Sequence, residues 1–130
     1  MDMGHELNKP KHSLWRNGGY ALEGFMDLVK NETSFKWQLF MLLVMGSVAW
    51  SLPITFTQSS ILFLSIFIPI LAEVVNSAIE RVVDLVTNEY HVLAKQAKDV
   101  GATMVILSLI VMALIWISVL AVAFNLVQGE

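Results

Sequence analysis

Uncharged stretches and charged stretches alternate along this chain. No charged residue occurs in 37–72 or in 100–129. At 1.5 Å per residue the first stretch is about 54 Å long as a helix, which is enough for most of two crossings of a ~30 Å hydrocarbon layer. Pro53 and the polar segment after it divide this stretch. The pattern predicts three transmembrane helices, at about 35–52, 61–86 and 102–126.

Near its end, the second predicted span places polar side chains on one helical face. Taking Glu73 as the reference and about 100° per residue, Glu80 lies at about −20° and Asp84 at about +20°. Asn76 and Ser77 fall on the same side. An ionisable group in hydrocarbon costs roughly 2.5–3.5 kcal/mol unless it faces partners or water. We therefore expect a functional site here, with Pro69 kinking the helix one turn before Glu73.

Residues 14–31 show a different pattern, with one apolar and one polar side at helical spacing. A helix of this kind before the first span is expected to lie in the membrane interface. It ends beside Glu32. We expect Glu32 to lie close to the cytoplasmic end of the carboxylate face, the helical face that carries Glu73, Glu80 and Asp84. The apolar positions are Leu14, Gly18, Ala21, Leu22, Phe25, Met26 and Val29, and the polar positions are Arg16, Tyr20, Glu23, Asp27 and Lys30.

The composition agrees with a membrane protein. With 130 residues, 56% hydrophobic and 15% charged, the chain is too apolar for an ordinary soluble domain. We predict one all-α integral membrane domain, 1–130, and we expect no signal peptide because the first thirty residues lack an apolar core. The lack of cysteine excludes disulfides and thiol catalysis, and a net charge of −3 without a basic cluster argues against nucleic acid binding.

The basic residues indicate the orientation in the membrane. All of them lie before or at the very start of the first span, or between the last turns of the second span and the start of the third. The positive-inside rule therefore places the N-terminus and segment 81–100 in the cytoplasm. The end of the carboxylate face at Asp84 then also lies on the cytoplasmic side. These residues are Lys9, Lys11, Arg16, Lys30, Lys36, Arg81, Lys95 and Lys98.

Carboxylates with a lysine nearby are typical of phosphoryl transfer supported by Mg²⁺, which prefers one or two carboxylates together with phosphate oxygens. Glu73, the deepest in the membrane, suits a general base that takes the proton of the attacking hydroxyl. Glu80, two turns nearer the cytosol, suits the metal, and Glu32, Lys98 and Asp99 lie nearby in the predicted topology. From these residues alone, a proton or cation pathway fits as well as a kinase.

Two blocks of sequence carry a family resemblance. EVVNSAIERVVD at 73–84 resembles the signature of the prokaryotic diacylglycerol kinase family. EYH at 89–91 followed by AKDVGA at 97–102 resembles the second motif of that family, at the same distance. The resemblance covers about residue 17 to the end and is highly specific. It implies a homotrimer of three-span subunits with a surface helix, active sites shared between subunits, ATP with Mg²⁺ as donor, and a membrane lipid alcohol as acceptor.

The same resemblance implies roles for individual residues. Glu73 matches the catalytic base, Glu32 and Glu80 match the metal-holding glutamates, and Asn76 matches a polar residue beside the base. Asp84 is also assigned to the catalytic set, with charge pairing to a neighbouring cation, Arg81 or Lys98, as the alternative. The positions that match the nucleotide site are Tyr20, Glu89, Tyr90, His91, Lys98 and Asp99.

The start of the first span is expected to face the acceptor lipid, through Ser34, Phe35 and Gln38 together with Glu73. Gln38 stands where some diacylglycerol kinases carry a carboxylate. Ser13 stands where some family members have an arginine, for which Arg16 is a possible substitute.

The prediction is a multi-pass lipid kinase of the bacterial inner membrane that converts diacylglycerol to phosphatidic acid. Related undecaprenol kinases share the ATP-site residues, so an undecaprenol kinase is the alternative enzyme. A small oligomer that conducts protons or cations is the alternative from another class.

Overall fold

A computed structural model of the chain describes residues 14–126, so Ser13 lies outside the described residues. No strand occurs within this range, and the prediction of an all-helical chain is confirmed. The helices are α1 (Leu14–Asn31), α2 (Thr33–Ser51), α3 (Phe56–Ser65), α4 (Phe67–Val86) and α5 (Val92–Ala123).

The helices fall into two compact units, α1 in one and α2–α5 in the other. Helix α1 has the bounds that its periodicity predicts, 14–31. In the second unit α4 packs most extensively on α5, and α2 packs on both α3 and α4. Phe35, Leu62 and Ile66 are at most 2% exposed and form the centre of this unit. The α4–α5 pair therefore provides the main framework for the carboxylate face.

The polar segment after Pro53 begins a helix, and it is not the loop that its composition suggests. Thr55 Oγ1 accepts from the Gln58 amide at 3.3 Å, and Gln58 Oε1 accepts from the Thr55 amide at 2.9 Å. This reciprocal pair is a capping box, which satisfies free amides at a helix start. Helix α3 consequently begins at Phe56, before the predicted start at 61.

The predicted second span is broken at Ile66, between α3 and α4. Pro69 is the third residue of α4 and has no N–H to donate to the carbonyl of Ser65, four residues earlier. The interruption therefore precedes the proline, as expected for a proline bend, and Glu73 lies wholly within α4.

Helix α5 begins at Val92, ten residues before the predicted start of the third span at Ala102. His91 is its N-cap, since His91 Nδ1 accepts from the Leu93 amide at 3.2 Å. At 1.5 Å per residue this 32-residue helix is about 48 Å long, which exceeds a ~30 Å hydrocarbon layer. The charged turns at 92–99 thus continue directly into the uncharged part.

Within residues 14–126, two helical segments are long and apolar enough to cross a membrane, Phe56–Val86 and Val92–Ala123. The first has 44% of its apolar window buried inside the chain, and the second has only 11%. So large an apolar surface needs lipid or another protein chain to cover it. Helix α2 has 19 residues with Lys36 near its start, and its role as a span stays a prediction.

Candidate active site

Glu73 is a buried carboxylate in an apolar part of α4. Only 6% of the residue is exposed. The hydroxyl of Ser34, in the first turn of α2, donates a hydrogen bond toward its carboxylate, and the charges of Glu80 and Glu32 act on it. Three carboxylates from two helices therefore share one electrostatic environment, as the helical-face argument and the position of Glu32 predict.

One turn further along α4, Asn76 is also buried, at 7% exposed. Its amide Nδ2 donates to Glu80 Oε1 at 3.0 Å. Its amide oxygen Oδ1 is buried and has no hydrogen-bond partner in the chain. Because an amide nitrogen is a neutral donor, it fixes the orientation of the Glu80 carboxylate without cancelling its charge. Asn76 thus lies between the base candidate and the metal candidate.

Glu32 occupies the N-cap position of α2, but its side chain makes no capping hydrogen bond. Its Oε1 atom instead accepts from Arg81 Nη2 of α4 at 3.1 Å. From the sequence, Arg81 or Lys98 is a possible partner for Asp84. In the structure Asp84 Oδ1 accepts from Lys98 Nζ at 2.5 Å, and this contact joins α4 to α5.

An open cleft of about 630 Å³ lies where the end of α4 meets the start of α5. Five of the six predicted nucleotide-site residues line it, together with Asp84 and Lys95. Tyr20 is in α1, which belongs to the other compact unit. The five are Glu89, Tyr90, His91, Lys98 and Asp99.

Both lysines of this cleft are paired with carboxylates. Besides the Lys98–Asp84 contact, Lys95 Nζ donates to Asp99 Oδ2 at 2.5 Å within α5. Lys98 precedes the uncharged part of α5, which begins at Val100. The hydrogen bond to Asp84 and the charges of Asp84 and Glu80 hold the pKa of the Lys98 ammonium above its usual value. Lys98 therefore stays positively charged at neutral pH.

The connector between α4 and α5 is ordered by its own side chains. Thr87 Oγ1 accepts from the amide of Glu89 at 3.1 Å, and His91 caps α5 as described. Tyr90 between them is 82% exposed, so its ring is available to a ligand. Short polar turns of this kind position side chains without needing buried contacts.

The donor set fits a hard divalent cation. Glu32 and Glu80 are both partly exposed, and each accepts a side-chain hydrogen bond on Oε1. No group of three histidine, cysteine or acidic residues poised to hold a metal occurs among residues 14–126. Mg²⁺ takes only one or two carboxylates and completes its shell with phosphate oxygens and water, so two glutamates suffice.

The residues predicted to meet the acceptor lipid lie in different surroundings. Ser34 is exposed and lies beside Glu73, whereas Phe35 is 1% exposed and packs within the chain. Gln38 is partly buried, and its side-chain oxygen has no partner in the chain. Their contact with lipid stays a prediction.

From the sequence, Arg81 is offered only as a possible partner of Asp84 and Lys95 is given no role at the site, although both lie in this region. Arg81 neutralises Glu32, and Lys95 pairs with Asp99 at the four-residue spacing that favours ion pairs on a helix. The second pair was visible in the spacing alone. The first joins residues 49 positions apart, and no local pattern predicts it.

Comparison of the sequence with known proteins places this chain in a family. Residues 19–120 match the sequence model of the family described as prokaryotic diacylglycerol kinase. A diacylglycerol kinase of Escherichia coli is 33% identical over 98 residues, which cover 75% of this chain and 80% of that protein. The diacylglycerol kinases of Haemophilus influenzae and Pseudomonas aeruginosa are each 31% identical, over 75% and 78% of this chain and 82% and 83% of their own lengths.

Proposed function

The chain belongs to the prokaryotic diacylglycerol kinase family and is an enzyme of the lipid kinase type, and we propose that it phosphorylates diacylglycerol with ATP to give phosphatidic acid. The observation that carries this proposal is the burial of Glu73 beside Asn76, Glu80 and Glu32. A carboxylate kept from water at the edge of an apolar helix suits a reaction in which a lipid hydroxyl must lose its proton.

In the proposed reaction the acceptor hydroxyl attacks the γ-phosphorus of ATP. A new P–O bond forms to the lipid, the bond between the γ-phosphorus and the β–γ bridging oxygen breaks, and ADP leaves with that electron pair. Glu73 accepts the hydroxyl proton. The contact between the Ser34 hydroxyl and Glu73 supports this role, because it is the contact that an acceptor hydroxyl needs to make with its base.

Glu32 and Glu80 are the residues that would hold Mg²⁺. The bound ion would neutralise phosphate charge during transfer. Asn76 keeps Glu80 oriented, and Arg81 keeps Glu32 at the start of α2. In this proposal the buried end of the carboxylate face, at Glu73, serves the acceptor lipid. The more exposed end, at Glu80, serves the nucleotide.

The cleft at the α4–α5 junction is the proposed nucleotide site. Lys98 supplies a fixed positive charge for the phosphates, and the exposed ring of Tyr90 offers a surface on which a base can stack. Glu89, His91 and Asp99 complete the polar lining, and Tyr20 of α1 is proposed as a further nucleotide-binding residue. Asp84 holds Lys98 in this cleft and thereby contributes to catalysis.

The proposed setting is the bacterial inner membrane, with α2 as a third span, α1 in the interface, and the N-terminus and active site facing the cytoplasm. We assign the uncovered apolar surface of α5 to lipid and to neighbouring subunits of a homotrimer. Sites shared between subunits are part of the same proposal. Support comes from the distribution of basic residues and from the family.

The test is transfer of radiolabelled γ-phosphate from ATP in mixed micelles that contain diacylglycerol, undecaprenol or neither lipid. Label in diacylglycerol is the expected result. Label in undecaprenol alone would replace the acceptor by the alternative, and label in neither lipid would contradict a lipid kinase and leave a conducting oligomer as the rival. Glu23→Gln, an exposed carboxylate of α1 outside the proposed machinery, is the matched control and should retain full activity.

A further inference from the structure

Gly101 of α5 is buried against the amide of Asn76 in α4. A Cβ atom at position 101 would lie 2.2 Å from Asn76 Oδ1 and 3.8 Å from Ile79 Cδ1. Real Cβ atoms essentially never approach another heavy atom within 3.0 Å. Any residue except glycine therefore requires the Asn76 amide to move.

The other described glycines do not share this relationship. A Cβ at Gly18, Gly19 or Gly24 meets nothing within 4 Å, and one at Gly46 meets only the Phe63 ring at 3.2 Å. Among residues 14–126, Gly101 is thus the glycine whose free space is taken by a polar residue of the candidate site. Glycine within a helix lowers stability because of its backbone freedom, so its presence inside α5 has a reason in packing.

The side-chain amide of Asn76 is constrained by a hydrogen bond at its nitrogen and by close packing at its oxygen. Its nitrogen donates to Glu80 Oε1 at 3.0 Å, and its oxygen, buried and unpartnered, fills the space that Gly101 leaves. With 7% of the residue exposed, the side chain has little room for another orientation. A displacement at the oxygen end must therefore also move the nitrogen end, and with it the hydrogen bond to Glu80.

We infer that Gly101 is a positioning residue for the nucleotide half of the reaction. Because position 101 has no side chain, the Asn76 amide has room to orient Glu80. Gly101 thereby acts on a carboxylate that would hold Mg-ATP, and Gly101 itself touches neither substrate. This inference rests on the proposed function. A side chain at 101 should consequently weaken the use of Mg-ATP and leave the use of the lipid acceptor unchanged.

A double-mutant cycle tests the inference. Gly101→Ala should raise KM for Mg-ATP about tenfold, the loss expected for one hydrogen bond to a charged group, with KM for diacylglycerol unchanged. Asn76→Ala should have a similar effect, and the double variant should be no worse than Asn76→Ala alone because no amide is left to displace. Gly46→Ala makes the same change against the Phe63 ring and should alter neither KM.

If the double variant has a clearly higher KM for Mg-ATP than Asn76→Ala, the two residues act independently and the inference is wrong. A change in KM for diacylglycerol in place of KM for Mg-ATP would also overturn it. Should Gly101→Ala fail to fold, the double variant decides. A folded double variant with the kinetics of Asn76→Ala supports a role through Asn76, whereas a double variant that also fails to fold shows that the glycine serves packing alone.

A spectroscopic readout separates this inference from the proposed function. In protein with isotope-labelled asparagine, the side-chain amide signal of Asn76 should shift in Gly101→Ala and also in Glu80→Gln. An unchanged signal in Gly101→Ala contradicts the inference, even in an active kinase. A wild-type protein that labels no lipid contradicts the proposed function, whatever that signal does.

Discussion

Arg81 Nη2 lies 3.1 Å from Glu32 Oε1 and so joins α4 to the start of α2 across 49 positions of sequence. The contact places a cation beside one of three carboxylates that share an environment, the others being Glu73 and Glu80. Arg81 thereby reduces the repulsion among these groups when no divalent cation is present.

Arg81→Met should lower the stability of the metal-free protein, because Glu32 is then left with the like charges of Glu73 and Glu80. The side chains of the pair are 46% and 27% exposed, so the loss should be only about 0–1 kcal/mol. Added Mg²⁺ should raise Tm more in this variant than in the wild type, since it replaces the missing positive charge. Thermal unfolding in detergent with and without MgCl₂ measures both effects, with Lys95→Met as control. Equal Mg²⁺ shifts in all three proteins would contradict this role.

Glu80→Gln should raise KM for Mg-ATP with little change in stability. Glutamine keeps an oxygen that accepts from Asn76, so the substitution removes the charge and preserves the hydrogen bond. Initial rates at varied Mg-ATP give KM, and Glu23→Gln is the isosteric control on α1. A normal KM would rule out Glu80 as a ligand of the metal-nucleotide complex.

How far the sequence predicts this structure differs from element to element. The periodicity of 14–31 predicts the bounds of α1. Apolar residues that recur at helical spacing on one face are typical of an amphipathic helix and of few other structures. The predicted third span starts at Ala102, ten residues after the start of α5, because Lys95, Lys98 and Asp99 end the apolar pattern. Charge excludes residues from hydrocarbon but not from a helix, and so the helix continues past the predicted membrane boundary.

The candidate site was predictable along one helix and only in part between helices. The spacing of Glu73, Glu80 and Asp84 places them on one face of α4. In the structure Glu73 is buried, Glu80 is partly exposed and Asp84 is exposed. The contacts Arg81–Glu32 and Gly101–Asn76 depend on how helices distant in sequence pack. Such packing follows from the shape of the whole core, which no local pattern contains.

Lys98→Met should weaken ATP binding, since it removes the fixed cation of the cleft. Asp84→Asn should weaken it less, and a double variant should bind ATP no more weakly than Lys98→Met alone, because Asp84 acts through Lys98. Binding of a fluorescent ATP analogue to the three variants measures the coupling. A double variant that binds clearly more weakly than Lys98→Met would give Asp84 a role of its own.

Mixed oligomers test whether sites are shared between subunits. Inactive Glu73→Gln protein mixed with inactive Lys98→Met protein should regain part of the wild-type activity if those residues reach one site from different chains. Pairs that include Tyr20 or Glu32 variants then map which residues each subunit supplies. If no pair among Tyr20, Glu32, Glu73, Glu80 and Lys98 variants regains activity in oligomers proven to be mixed, each subunit holds a complete site.

The central claim is that Glu73 is the base for transfer of phosphate from ATP to a lipid hydroxyl. The most direct measurement is a single-turnover assay of radiolabelled γ-phosphate transfer to diacylglycerol, run on the wild type and on Glu73→Gln, with ATP binding measured on the same samples. We expect the variant to transfer at a rate lower by about 10²–10⁴-fold, the usual contribution of a general base, and to bind ATP with near-normal affinity. A Glu73→Gln protein that transfers at the wild-type rate would contradict the claim.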